Sequence, residues 1–535
     1  MAVLTGVDLL GIQRYVFASN RLKDVLAASW MVDHVVSKAA LSAQGIPEDQ
    51  ILMAGGGNAI LEFADVAAAR TWTARYTRWL HDSAPGLEVA VAHQPYEHQP
   101  LALALKALAI NLARAKLERR PGAPMPGLSV TASCGLTGLP ATALDQGELL
   151  SARIVQQRKH IDAAKSRWEQ FQPGQLMRAP AWAADFPDDL DDMGRSYGET
   201  SLVGVVHVDG NGIGKAIKLW LQRCLDDEVD DQQVRVEYRA WSGRLTELLT
   251  HVLDAVVKRV AAAIVEERNE RGTRQCLLRG MPAQLGFPLK TKERTILLPI
   301  RPILLGGDDL TFVCDGRIAL DLAVTALKAF ESQPIPHLGE DGGDKTLTAC
   351  AGVALVKAHA PFYRSYELAE GLCASAKHAR SHYNQEYQSE SGCWLDWHIG
   401  SVRPSDTIAE LRKRQYTRDN LKLTMRPYPL TNKAREQTWA WLDRELLGPV
   451  EATHQGLRGD PAWANSRGRV KQLDSLAHEG ADSIRRQLGA WKVSLPAGLS
   501  GGGFIGHRTP LLDATELLDL HLRLDLASDE GREAS

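Results

Sequence analysis

Apolar runs, polar strand ends and glycine turns follow one another in the same order twice along the chain. The run from Val3 to Val7 ends in Asp8, and the run from Leu202 to Val208 ends in Asp209. Each leads into a helical pattern, then into an apolar run broken by a glycine turn, and then into a further helix and strand. This order predicts an α+β fold with two ferredoxin-like units, each built as strand, helix, hairpin, helix, strand.

The two glycine turns differ in their chemistry. The first reads Gly55-Gly56-Gly57-Asn58 and the second reads Gly306-Gly307-Asp308-Asp309. Glycines between two β-type runs suit a tight hairpin because glycine accepts a positive φ without a Cβ clash. One copy therefore has a glycine and an amide where the other has two carboxylates.

The repeat predicts four segments in the chain. Residues 1–99 form the first unit, 100–200 a helical connecting module, 201–402 the second unit, and 403–535 a C-terminal helical domain. The interval from Asp209 to Asp308 in the second unit is longer than the interval from Asp8 to Gly57 in the first, which predicts an insertion at about residues 269–301. The patterns predict helices at 100–117, 149–171, 245–264, 432–447 and 466–492, and a loop at 173–197.

Charge and composition exclude several classes of protein. The 535 residues include 62 Lys plus Arg and 65 Asp plus Glu, a formal net charge of −3, so the chain does not coat nucleic acid by bulk charge. The seven cysteines contain no C-x-x-C pair and are expected to be free thiols. With no apolar run of about 18 residues and no basic leader, we expect a cytoplasmic protein without a membrane partner.

Three carboxylates are the strongest chemical signal. Asp209 ends one strand, and Asp308 and Asp309 lie in the hairpin of the neighbouring strands, so we expect all three at one sheet edge. Crowded carboxylates favour divalent cations, and oxygen ligands suit two Mg²⁺ or Mn²⁺ ions that catalyse nucleotidyl transfer. A solvated turn is the alternative for the hairpin alone, and the coincidence with Asp209 favours a catalytic and metal-binding role.

Small residues beside these carboxylates are candidates for binding a nucleotide. Gly210, Asn211 and Gly212 form a strand-to-helix turn whose backbone N–H groups can receive a triphosphate. The hairpin glycines, Gly306 and Gly307, adjoin the same edge. A lysine in a later helix can reach the phosphates, with a plain surface lysine as the alternative. That lysine is Lys377.

Several of these motifs resemble one family, the large palm-containing polymerase-cyclase subunit of type III CRISPR effector complexes, which is related to GGDEF and adenylyl cyclase domains. The resemblance covers nearly the whole chain and identifies the two units as palm domains, the first of them degenerate. Family members make cyclic oligoadenylates from ATP in antiviral defence, which implies ATP or another NTP as substrate. The motifs lie at residues 11–17, 27–29, 208–212, 306–309, 374–377 and 426–431.

The chain departs from the family pattern at two points. Many members begin with an HD nuclease domain, whereas here the palm-like sequence begins at residue 3, so we expect no such domain; His81-Asp82 is expected at the surface. The family often has a cysteine zinc site between the palms. Only Cys134 remains there, and one thiolate cannot complete a four-ligand site, so we expect that zinc has been lost.

A basic segment is a candidate for binding RNA or a nucleotide product. Residues 411–435 carry eight Lys or Arg against one Asp, with two tyrosines between them. The alternative is a surface that meets an acidic neighbour such as the tail at residues 511–535. RNA and CRISPR effector subunits are thus further partners to be tested.

Two functions remain open at this point. The first is a nucleotidyltransferase or cyclase that makes a cyclic nucleotide messenger, with a two-nucleotide cyclase of the GGDEF kind as a lower-ranked variant. The second is a non-catalytic palm scaffold that binds nucleotide or guide RNA. The sequence does not determine base preference, product size, activating signal or oligomeric state.

The repeat also predicts how the two palms are arranged. They are expected to face each other, with Gly55–Asn58 near one end of the interface and Gly306–Asp309 near the other. The first palm, with Asp8 and its open hairpin, is expected to bind an acceptor nucleotide without catalysing.

Overall fold

The first unit is an antiparallel sheet in the order β2-β3-β1-β4, covered by helices on both faces. Its central strand is apolar along nearly its whole length because both of its faces are buried. In this computed structural model the described residues are 1–119, 130–193, 202–269, 271–336, 343–401, 403, 406–431, 437–448 and 455–524. The elements of the unit are β1 (Ala2–Leu10), α1 (Ile12–Val16), α2 (Leu22–Val35), α3 (Lys38–Ala43), β2 (Ile51–Gly55), β3 (Asn58–Phe63), α4 (Val66–Ser83), β4 (Glu88–Tyr96) and α5 (Leu101–Glu118).

The segment between the two palms is less helical than its composition predicts. It contains a hairpin followed by two short helices, and a short strand that joins the insertion of the second palm. Helix α5, placed in this module by the sequence, packs on β1 and β4 of the first sheet. The elements after α5 are β5 (Ala141–Asp145), β6 (Glu148–Ser151), α6 (Ala152–Arg158), α7 (Ile161–Ser166) and β7 (Ala183–Asp185).

The second palm repeats the strand order of the first. Its sheet runs β14-β15-β8-β18-β19-β22, so the first four strands have the same order as β2-β3-β1-β4. The insertion at residues 269–301 forms small strands after the long helix α9. The elements are β8 (Leu202–Gly210), α8 (Ile213–Asp226), α9 (Asp231–Ala262), β9 (Ile264–Arg268), β10 (Arg274–Leu278), β11 (Phe287–Pro288), β12 (Thr291–Lys292), β13 (Thr295–Leu297), β14 (Ile300–Gly306), β15 (Asp309–Asp315), α10 (Ala319–Phe330), β16 (Pro334–Ile335), β17 (Lys345–Thr346), β18 (Ala349–Lys357), α11 (Phe362–Tyr387) and β19 (Trp394–Ile399).

The C-terminal part is mostly helical and packs against the end of the second sheet. The predicted helix at 432–447 is described only from residue 437, and the predicted helix at 466–492 is two helices that meet at Gly480, whose φ is 101°. The elements are α12 (Ile408–Gln415), β20 (Thr417–Arg418), β21 (Leu421–Lys422), β22 (Tyr428–Pro429), α13 (Trp439–Trp441), a π-helical turn (Leu442–Leu447), α14 (Gly456–Gly459), α15 (Pro461–Ala464), α16 (Arg467–Glu479), α17 (Ala481–Trp491) and α18 (Leu511–Leu517).

The two palms pack against each other through reciprocal contacts that fall in two hydrophobic clusters. Helix α2 of the first palm contacts β14 of the second, and α9 of the second contacts β2 of the first. In the cluster that contains α2, the Phe17 ring of the first palm stacks on Tyr366 of the second with 4.3 Å between centroids. Among the described residues, no helix is long and apolar enough to cross a membrane.

The two glycine hairpins meet at this interface, so the prediction that they lie at its opposite ends is wrong. A Cβ at Gly56 would lie 2.6 Å from the backbone nitrogen of Gly307. The reciprocal packing of the palms brings equivalent hairpins together because both lie at the same strand edge of their own units.

Candidate active site

The second palm brings its three aspartates to one edge of the sheet. Strand β8 pairs with β15 in a register that places Asp209 opposite Asp309, and Asp308 occupies the hairpin turn before β15. Carboxylate oxygens of the three residues lie within 4.8 Å of one another. All three residues are partly exposed at this edge. The geometry therefore leaves the carboxylates open to a ligand from solvent.

Crowding and burial make the ionised form of these carboxylates costly. Burial, reinforced by the charges of Asp209 and Asp308, raises the pKa of Asp309 to about 8. Burial also raises the pKa of Asp308, with a smaller contribution from Asp209. A divalent cation would offset this repulsion, so the oxygen set has the chemistry that Mg²⁺ and Mn²⁺ prefer.

Lys377 is the cation that the structure places among these aspartates. Its Nζ lies 2.5 Å from Oδ2 of Asp209 and donates a hydrogen bond of 3.0 Å to the carbonyl oxygen of Gly210. Burial lowers the pKa of Lys377, but the hydrogen bond and charge of Asp209 outweigh it and raise the pKa overall. The lysine therefore stays charged beside the site.

Close packing of helix α11 on the sheet positions Lys377. Strand β18 carries Gly352 beneath the helix, where a Cβ would overlap the carbonyl oxygen of Ala369. The glycine lets the helix backbone approach the strand, and Lys377 then reaches the strand edge two helical turns after Ala369.

The turn after β8 offers fewer backbone donors to a phosphate than its sequence predicts, because the N–H groups of Gly210 and Asn211 already donate to the carbonyl oxygens of Asp308 and Thr348 at 3.1 Å and 2.7 Å. Gly212 has a φ of 72° and precedes α8 without a side-chain cap. A Cβ at Gly210 would lie 3.2 Å from Cβ of Asp308, so the glycine allows the Gly306–Asp309 hairpin to pack closely against the end of β8. The Asn211 side chain donates to Oγ1 of Thr348 at 3.1 Å, which anchors it to the adjacent β18 end of the sheet.

The first palm preserves half of this arrangement. Asp8 lies opposite Asn58, as Asp209 lies opposite Asp309, and it forms an ion pair with Lys116. Lys116 and Lys377 are both the sixteenth residue of the helix that follows the fourth strand of their unit. The first palm thus keeps the lysine–aspartate pair and lacks the two hairpin carboxylates.

Several residues around the site were not identified from the sequence. A cavity of about 70 Å³ between the hairpins is lined in part by Ser29, Asp33 and Arg167. The partly buried Arg167 donates to the carbonyl oxygen of Leu305 at 2.8 Å and lies 3.4 Å from Asp33. Ser29 belongs to the motif at residues 27–29, but no motif marks Asp33 or Arg167, because only the packing of the palms brings these separate elements together.

The described part of the basic segment is split between the core and the surface. Arg426 is fully buried and pairs with Asp513 at 2.8 Å, which matches the alternative of an acidic neighbour in residues 511–535. Arg412 contacts the buried Asp396. Arg418 and Lys422 are exposed. Lys433 and Arg435 lie outside the described residues, as do residues 525–535 of the tail.

The remaining candidates lie away from the site. His81 and Asp82 are exposed at the end of α4, as expected. Cys134 is buried in a small apolar cluster with Leu150 and Ile154. All seven cysteines are free thiols, as the spacing predicts.

Comparison with solved structures establishes the fold. The crystal structure of Csm1 in T. onnurineus aligns over 97% of this chain and 70% of that chain, with 15% sequence identity and a TM-score of 0.53. A Csm1-Csm4 cassette in complex with pppApA aligns over 98% and 69%, with 13% identity and a TM-score of 0.52. A cassette in complex with cA3 aligns over 98% and 70%, with 13% identity and a TM-score of 0.51.

This likeness is one of fold. The chain has the α+β architecture of two ferredoxin-like palm domains with helical regions that is seen in Csm1. It spans 58% of the length of a further chain, from a cassette in complex with cA4. No protein-family model and no curated protein sequence matches it.

Proposed function

We propose that this protein is a nucleotidyltransferase or cyclase that joins ATP, or another NTP, into a cyclic nucleotide messenger in CRISPR-type antiviral defence. The observation that carries the proposal is the convergence of Asp209, Asp308 and Asp309 at one strand edge. The Csm1-Csm4 cassettes of the same fold bind pppApA, cA3 and AMPPNP, which supports an adenine nucleotide as the first substrate to test.

The aspartates fit a divalent metal centre. Three aspartates with one lysine form a site in which burial, and then the charges of the neighbouring aspartates, raise the pKa values of Asp308 and Asp309. Two Mg²⁺ or Mn²⁺ ions bound by Asp209, Asp308 and Asp309 would supply activation of a 3′-hydroxyl and charge stabilisation of the leaving pyrophosphate.

The other residues of the site would bind and orient the donor nucleotide. The N–H of Gly212 would offer a donor to a triphosphate at the start of α8, whereas the N–H groups of Gly210 and Asn211 already donate to the carbonyl oxygens of Asp308 and Thr348. Gly306 and Gly307 lie against Gly56 of the first palm, so they would bind the nucleotide only at the contact between the two hairpins. Lys377 would exchange its pairing with Asp209 for phosphate oxygens.

The first palm would hold the acceptor nucleotide. Its hairpin touches the catalytic hairpin, and it retains the Asp8–Lys116 pair without hairpin carboxylates. Holding donor and acceptor together would supply much of the rate through proximity.

Incubation with labelled NTPs and Mg²⁺ or Mn²⁺, followed by separation of products, tests this function. The wild-type protein should convert at least one NTP, and the variant D308A/D309A should convert none while unfolding at the same or a higher temperature, since mutual repulsion is removed. Asp82→Ala, which removes an exposed carboxylate on α4, should leave turnover unchanged.

The opposite results favour the scaffold. If NTPs of all four bases are tested and the wild-type protein binds nucleotide without making any product, the palms act as a binding module. If D308A/D309A retains full turnover, the three aspartates are not the catalytic centre.

A further inference from the structure

A second set of metal-ligand side chains lies directly behind the catalytic aspartates. His207, Asp209 and Cys373 place one potential ligand atom each within 4.8 Å of one another. His207 and Asp209 are two residues apart on β8 and so point to the same face of the sheet. Cys373 comes from α11, one helical turn before Lys377.

The chemistry of this set differs from that of the three carboxylates. It offers an imidazole nitrogen, a carboxylate oxygen and a sulfur, and His207 and Cys373 are almost fully buried. Oxygen-only sets suit Mg²⁺ and Mn²⁺, whereas mixed nitrogen and sulfur sets suit Zn²⁺ and Co²⁺. Among the described residues, only these two groups have three such ligands this close together.

The surroundings of His207 already orient it as a ligand. Its Nδ1 lies 3.0 Å from Oγ1 of Thr311, the residue opposite it on β15. The edge of the ring meets Tyr366 at 5.5 Å between centroids. With Nδ1 held by a hydroxyl and the ring fixed by an aromatic neighbour, Nε2 remains for a metal ion, which is the usual arrangement of a ligating histidine.

The other two ligands provide the sulfur and the entry path. The Cys373 thiol donates to the carbonyl oxygen of Cys350 at 3.2 Å, and it would release its proton to solvent when it binds a metal ion. The Asp209 side chain is 27% exposed, so an ion can reach the pocket past it. Lys377 pairs with Oδ2 of Asp209, which leaves Oδ1 for the ion.

We propose that His207, Asp209 and Cys373 form a binding site for a borderline divalent metal ion of the Zn²⁺ class, separate from the oxygen site and sharing only Asp209 with it. Because Asp209 belongs to both sets, an ion bound to the mixed site competes with the oxygen site for this carboxylate. Zn²⁺ would then inhibit the reaction that Mg²⁺ supports. The inhibition rests on the proposed function, whereas the binding does not.

Titration of the nucleotide-free, full-length protein with Co²⁺ tests the binding. A bound cobalt–thiolate pair gives a strong near-ultraviolet charge-transfer absorption, which should appear in the wild-type protein and be lost on adding Zn²⁺. Cys373→Ser should abolish the absorption, and the affinity for Co²⁺ should fall by about 100-fold or more. Cys224→Ser, which changes a buried thiol on α8, should leave the absorption intact.

Two further measurements separate ligand binding from misfolding. Thr311→Val keeps the shape of the side chain but removes the hydroxyl held to His207, and it should weaken Co²⁺ binding by about 10-fold. X-ray absorption of the Zn²⁺-loaded wild-type protein should show one sulfur neighbour together with nitrogen and oxygen neighbours. Oxygen neighbours alone, or no cobalt–thiolate absorption in the wild-type protein, would overturn the proposal, even for a protein that turns over NTPs.

Discussion

Gly56 of the first palm lies directly against Gly307 of the second. A Cβ at Gly56 would approach the nitrogen and Cα of Gly307 to 2.6 Å and 2.7 Å, which is closer than real Cβ atoms come to backbone. The position of the Gly306–Asp309 hairpin thus depends on the absence of a side chain in the other palm. The degenerate palm supports the site even if it binds no nucleotide.

Gly56→Ala should therefore displace the Gly306–Asp309 hairpin of the other palm, which we propose to be catalytic. We expect at least a 10-fold loss of NTP turnover, because displacement of Gly307 moves Asp308 and Asp309 out of place. Kinetics together with thermal unfolding measure this effect. Gly55→Ala is the control for backbone strain, since the φ of 138° at Gly55 is less accessible to alanine than the 59° at Gly56, while no atom lies within 4 Å of the Gly55 Cβ position. Equal losses in both variants would show that backbone strain, rather than contact, is responsible.

Lys377→Gln should reduce turnover more than it reduces stability. The substitution removes the charge held 2.5 Å from Asp209 and the proposed phosphate contact, so we expect a decrease of about 10- to 100-fold in kcat/KM. The exposed Lys328 on α10 provides the control, and Lys328→Gln should leave kcat/KM unchanged. If the Lys377 variant has wild-type kinetics, this lysine does not take part in turnover.

The ion pair of Glu62 with Arg235 joins the two palms, and it should make a pH-dependent contribution to the stability of the protein. It lies 2.8 Å from Arg235 of α9, and although burial raises the pKa of Glu62, hydrogen bonds from Arg235 and Tyr96 outweigh it and lower the pKa below its usual value of 4.5. The stabilisation is then present above pH 4.5 and is lost as the pH falls through the lower folded-state pKa.

Glu62→Gln should lower the unfolding free energy by about 1–2 kcal/mol at pH 7, and the difference from wild type should shrink on acidification below pH 4.5. Thermal unfolding at pH 7 and at pH 3.5 measures this. The exposed Glu48 gives the control variant Glu48→Gln, which should show no such dependence. A constant difference at both pH values would mean that the Glu62 charge is not the source of the stability.

Arg426 should act in folding rather than in RNA binding. It is fully buried against Asp513, and removing one member of a buried pair leaves an uncompensated charge, so Arg426→Met should cost about 3–5 kcal/mol. Arg418→Met, in the same basic segment but exposed, should leave stability unchanged. Urea unfolding and RNA-binding assays on both variants separate the two roles. A stable Arg426 variant with weakened RNA binding would contradict this assignment.

The repeat and the strand order could be predicted from the sequence because they depend on local signals. An apolar run ending in Asp209, and two glycines between β-type runs at Gly306 and Gly307, specify a strand end and a hairpin within a few residues. These signals also placed Asp308 and Asp309 at one edge, because neighbouring strands of a ferredoxin-like unit have a fixed order.

Contacts between distant segments could not be predicted in this way. The meeting of Gly56 with Gly307 and the burial of Arg426 depend on the docking of complete units, and composition describes Arg426 only as one of eight basic residues. Helix α5 was separated from the first palm because its Ala- and Leu-rich pattern does not show which sheet it covers. Lys116 could have been found by aligning its position in α5 with that of Lys377 in α11.

The two hairpins also differ in backbone conformation, and this makes it hard to convert the first hairpin into a second carboxylate site by substitution. Both Gly56 and Gly57 have positive φ values, whereas in the second hairpin Gly307 has a positive φ and Asp308 does not. An aspartate at position 57 would strain the backbone and bring its Cβ within 2.7 Å of Cδ1 of Ile12. Aspartates at positions 57 and 58 would therefore add two carboxylates to the first hairpin without reproducing the backbone conformation that positions Asp308 and Asp309 in the second.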